Sequence, residues 1–175
     1  MYVFSFSAIF CLIPVTKVVT QVILSSDYKI GSIYIGFLYL GAIFQGFSTF
    51  ASVGYLQSKK TVRAATSSVA GAIVNLLVDL ILVKSVGLFA AALSTYVGFL
   101  VMWLVRMYDI RKDWPITVDV PKFTIMTFVA TAIATITIWT AVEIDAIMTV
   151  FFGALFIVLN KDHIIVIVQK IKHKR

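Results

Sequence analysis

Reactive side chains are scarce in this sequence. There is one cysteine, Cys11, and only two histidines, both near the C-terminus. A single thiol excludes an intramolecular disulfide, and His163 and His173 give no metal-ligand spacing, so no metal site and no cofactor are expected. There is no Gly-rich phosphate loop, no His-Glu-x-x-His and no nucleophile elbow. The acidic pairs Asp109/Asp113 and Glu143/Asp145 fall in expected loops, where they read as solvated caps and turns. No catalytic residue is assigned, and the chain is not expected to be an enzyme. Internal repeats and low-complexity segments are also missing.

Charge is sparse as well, at 13% of 175 residues, while 61% are hydrophobic and the mean hydropathy is +1.01. Soluble domains are about 45–50% apolar, and windows of about 18–20 apolar residues cross a bilayer core. The fold class expected is therefore all-α, a polytopic membrane bundle of about six transmembrane helices. The excess of Lys and Arg over Asp and Glu, 15 against 8, does not point to nucleic acid. The basic residues sit between apolar spans, where they set topology and meet anionic headgroups.

The spans expected are about Tyr2–Leu24, Ile33–Leu56, Ala64–Val83, Gly87–Met107, Phe123–Val142 and Ala146–Leu159. Pro14 is placed to kink the first. Lys17, in its outer half, must snorkel or face a polar cavity, and snorkelling is the simpler reading. Gln45 lies among small residues of the second span. Asn75 and Asp79, four apart, share one face of the third. Lys84-Ser85-Val86 is read as a tight link to the fourth, and Glu143-Ile144-Asp145 as a minimal turn before the sixth. Trp103 and Tyr108 fit an interfacial aromatic belt.

Arg106 to Lys122 reads as a polar loop broken by Pro115 and Pro121, with an interfacial piece around Trp114. Residues 1–160 form the bundle, and 161–175 form a basic interfacial tail.

The loops after spans two and four and the tail hold Lys59, Lys60, Arg63, Arg106, Arg111, Lys112, Lys122, Lys161, Lys170, Lys172, Lys174 and Arg175. The other loops hold only Lys29 and Lys84. The positive-inside rule then places both termini in the cytoplasm. No Lys or Arg precedes the first apolar core, which suggests a chain that begins inside a longer protein.

The sequence resembles polysaccharide flippases, the Wzx-like O-antigen and teichoic-acid exporters of the superfamily that also holds MATE drug exporters and the lipid II flippase. The resemblance is carried by Asp27-Tyr28-Lys29 after VVTQVIL, by GFLYLGAIFQGFSTFASVGYLQSKKT, by Asn75 with a polar residue at 79, and by VKSVGLFAAALSTYVGFL. It covers about residues 10–110. The second Asn of the family's Asn-x-x-x-Asn is Asp79 here.

The resemblance implies the C-terminal part of such a transporter, one half of a MATE-like pair of bundles around a central cavity. It implies movement of a polyprenyl-linked oligosaccharide across a bacterial inner (cytoplasmic) membrane, for lipopolysaccharide or another surface polysaccharide. The partners expected are membrane lipids, a lipid-linked oligosaccharide, and a complementary N-terminal bundle or second copy. Lys17, Gln45, Asn75 and Asp79 are the candidate cavity-lining residues. The alternatives are a MATE-like drug or cation antiporter fragment and a small membrane assembly subunit without a transport cycle.

Overall fold

The computed structural model describes residues 2–23, 31–32, 34–111 and 118–161. Among these residues there are six long helices and no strand: α1 (Tyr2–Ile23), α2 (Ile35–Gln57), α3 (Thr61–Val86), α4 (Leu88–Ile110), α5 (Val120–Trp139) and α6 (Val142–Leu159). The first five are long and apolar enough to cross a membrane. At 1.5 Å per residue, the 18 residues of α6 span about 27 Å, close to a hydrocarbon core. The expected loop at 25–29, the piece around Trp114 and the tail beyond Lys161 lie outside the described residues.

Several ends differ from expectation, each for a local reason. Helix α3 continues through Lys84-Ser85-Val86, because a lysine is favoured beside the last-turn carbonyls. The link to α4 is Gly87 alone, at φ 56° and ψ −131°. Side chains rarely adopt that conformation and glycine adopts it freely. Pro121 does not break α5 but lies in its first turn, where no intrahelical donor is lost. Asp119 caps that turn, its Oδ1 accepting from the Lys122 N–H at 3.3 Å. Helix α6 opens before the expected turn, so Glu143 and Asp145 belong to its first turn. Pro14 is buried inside an α1 that runs unbroken to Ile23.

The helices gather in two compact units, Met1–Ile33 with Phe123–Arg175, and Tyr34–Lys122. In the first, α1 runs antiparallel to α6. Phe4 meets Phe156, Phe10 meets Phe152, and Cys11 Sγ lies beside Gly153. Helix α5 runs parallel to α1 and joins it through Phe6–Phe123 at 5.4 Å. Four of its threonines turn inward on the helix: Thr127, Thr131, Thr135 and Thr137 each donate to the carbonyl four residues earlier. These hydroxyls are satisfied without water, so a threonine-rich segment remains compatible with lipid.

In the second unit α4 is the centre, packed on α2 and on α3. It runs parallel to α2, through Phe37–Phe89 and Phe44–Trp103 at 5.1 and 5.6 Å. Trp103 is therefore an internal packing residue, not only a belt aromatic. Helix α3 runs antiparallel to α4. A Cβ on Gly98 would stand 2.8 Å from Asn75 Cβ and 2.9 Å from Gly71 O, so the two backbones are in near contact. Lipid is as apolar as leucine, and such small-residue crossings, not burial from water, hold spans together. Every packed pair has the relative direction that six alternating crossings require.

The buried residues of α4 include Ala90, Ser94, Gly98, Met102, Arg106 and Ile110. That is a stripe of period four, continuous from one end of the helix to the other.

Candidate functional site

Arg106 does not lie in a loop. The stripe just described carries it to the inner face of α4, where it is 6% exposed. Its Nε donates to Ser67 Oγ at 2.9 Å, Nη1 to Ser48 O at 2.8 Å, and Nη2 to Ser68 Oγ at 2.7 Å and Ala64 O at 3.2 Å. One guanidinium thus ties α4 to α2 and α3. Each acceptor is neutral, and no carboxylate pairs with Arg106 among the described residues. Beside this shell the Ser48 hydroxyl is buried without a hydrogen-bond partner.

The same end of the unit carries a groove of about 670 Å³, lined by Tyr55, Arg63, Thr66, Ser67, Leu104, Val105, Tyr108 and Asp109. Ser67 links the groove to Arg106. Arg63 Nη1 donates to Asp109 Oδ1 at 2.6 Å, the buried Tyr55 side chain sits next to Asp109, and Arg111 Cζ lies 4.3 Å over the Tyr108 ring. Helix α2 ends into this region through a 6→1 closure, Lys60 N to Tyr55 O at 2.8 Å, with Lys59 at φ 56°. That closure satisfies the last carbonyls of the helix. Among the described residues the groove lining holds Arg63, hydroxyls and a single carboxylate, Asp109. Chemically it can receive an anion; it has no nucleophile–base pair, and among the described residues no group of His, Cys, Asp and Glu could hold a metal.

The four residues singled out in the sequence fall in different places. Lys17 does not snorkel. It is 6% exposed, and its Nζ lies 2.8 Å from Asp145 Oδ2 in an ion pair off the hydrogen-bonding direction. It donates to Thr140 O at 2.8 Å and also to Thr137 O. These are carbonyls of the kind a helix C-terminus leaves unpaired. Asp145 is 0% exposed and accepts from Thr140 Oγ1 at 2.6 Å. It is no solvated turn residue, because the ammonium of Lys17 replaces its water. The cluster closes the α5–α6 hairpin through two ammonium hydrogen bonds and one ion pair.

Gln45 is exposed, and its side chain has no partner among the described residues. Asn75 and Asp79 are half-buried. The Asn75 Cβ abuts Gly98 at the α3–α4 crossing. Asp79 has no ion-pair partner among the described residues. Asn75 and Asp79 lie on α3, and neither reaches Arg106 by any hydrogen bond.

Sequence reasoning missed Arg106 and Asp145. The stripe of period four, Ser94, Gly98, Met102, Arg106 and Ile110, was a readable signal for the first. For Asp145 the signal was indirect: an intramembrane lysine needs a partner, but 128 residues separate Lys17 from Asp145 and no local pattern names it. No protein-family model, curated protein or solved structure matches this chain.

Proposed function

We propose that this chain is a membrane transporter, or part of one, that moves a polyprenyl-linked oligosaccharide across the bacterial cytoplasmic membrane for surface polysaccharide synthesis. The observation that supports this reading is Arg106, a buried cation held by neutral oxygens with no carboxylate partner among the described residues. A flippase must shelter a pyrophosphate from hydrocarbon, and a guanidinium left uncompensated by the protein is suited to a phosphate anion. By the charge rule the Arg106 end of the second unit faces the cytoplasm, where such a substrate is made, and both termini lie on that side.

On this reading Lys17 is a structural residue. Asn75 shapes the α3–α4 crossing, and Asp79 and Gln45 are the remaining candidates for contact with sugar hydroxyls. A complementary bundle, N-terminal or from a second copy, completes the pathway. Helix α3, apolar on nearly all sides and only 6% buried over its most apolar window, is the flank open to it.

The test is export of surface polysaccharide in cells that depend on this chain. Arg106→Met is expected to abolish surface polysaccharide when compared with the wild type at matched levels of protein in the membrane. Undiminished export by that variant would end the reading.

A further inference from the structure

The groove beside Arg106 has two kinds of wall. On one side stand Arg63, 52% exposed, and Tyr108 with Arg111 over its ring. On the other stand Leu104 and Val105, 51% and 40% exposed, on the outer face of α4. Asp109 is the only carboxylate among the described residues of the lining. It takes Arg63 Nη1 alone; Nε and Nη2 of Arg63 have no acceptor among the described residues. Arg111, over the Tyr108 ring, is a second cation beside the lining, next to the exposed Leu104 and Val105.

We propose that this groove seats an anionic phospholipid of the bilayer, its phosphate on Arg63 and an acyl chain along Leu104 and Val105. Basic pockets between membrane helices bind anionic headgroups, and each basic residue near the membrane surface contributes about 1 kcal/mol. Asp109 positions Arg63 by holding one edge of the guanidinium. A lipid, and not a soluble anion, is the occupant because the charged and apolar walls are continuous within one groove. The site is independent of what the protein transports.

The experiment is native mass spectrometry of the 175-residue chain in a neutral detergent, with phosphatidylglycerol or phosphatidylcholine of matched acyl chains. The wild type is expected to retain phosphatidylglycerol about fivefold more than phosphatidylcholine, the factor that about 1 kcal/mol gives. Arg63→Gln removes that preference, Arg63→Lys keeps most of it, and Lys84→Gln, at the far end of α3, keeps all of it. Equal retention of the two lipids by the wild type, a measurement that needs no variant to fold, overturns the proposal. So does an undiminished preference in Arg63→Gln. Displacement of the lipid by inorganic phosphate, but not by chloride at the same ionic strength, also overturns it, because the site would then belong to a free anion.

Discussion

Lys17 in the first unit and Arg106 in the second are equally buried, at 6% exposure, but they are compensated in different ways. Lys17 meets a full negative charge on Asp145 and two carbonyls at a helix end. Arg106 meets hydroxyls and carbonyls only. The first arrangement is complete within the protein. The second balances the polar groups and leaves the charge. The ion pair of Lys17 and Asp145 is a fastening, whereas Arg106 has no counter-charge among the described residues.

The largest expected effect tests the fastening. Lys17→Met leaves the Asp145 carboxylate buried and alone, and the cost is about 3–5 kcal/mol, read as loss of stability in detergent unfolding. The double variant Lys17→Met, Asp145→Leu recovers most of it. A double variant as unstable as the single one would show that the pair is not what closes the α5–α6 hairpin.

Arg106→Met is the matching experiment in the second unit. Four interhelical hydrogen bonds at about 0.6 kcal/mol each set the loss near 2 kcal/mol, and no buried charge is orphaned. Ser67 and Ser68 keep their own bonds to Ala64 O. The contrast fails if this variant unfolds as readily as Lys17→Met.

A smaller effect tests the scaffold that brings Arg106 to its serines. Gly98→Ala forces Asn75 and Gly71 away at about 1–2 kcal/mol. Gly46→Ala meets nothing within 4 Å and raises stability by about 0.5–1 kcal/mol. Opposite signs in thermal unfolding are expected, and like signs would remove the close crossing from the account. Smallest is Asp79→Asn. The group is half-buried and has no ion-pair partner among the described residues, so stability changes by less than about 0.5 kcal/mol, and a larger shift would reveal a further contact.

Six apolar helices and their alternation were legible in the sequence, because spans are long and apolar and the bilayer allows few alternatives. Their ends were less so. Arg106 looked like the start of a loop because arginine is costly among apolar residues, and only packing with three serines makes it acceptable there. Lys17 was visible as an anomaly, but its resolution was not, since its partner lies on another span and appears locally as an ordinary turn residue. Asn75 and Asp79 stood out by residue type. Their roles depend on which neighbour α4 presents, and a single helix does not encode that.

Gly87 has a consequence for how this chain is made. One residue links two helices of 26 and 23 residues, and the only charge at the tip is Lys84, in the last turn of α3. A link this short cannot wait in water while one helix enters the bilayer without the other. On the proposed topology, with both termini in the cytoplasm, the two would enter as a hairpin and the tip would take the Lys84 ammonium through the hydrocarbon at a transient cost of about 2.5–3.5 kcal/mol. Adding residues at position 87, even where the finished structure has room for them, therefore changes the step of synthesis before it changes the fold.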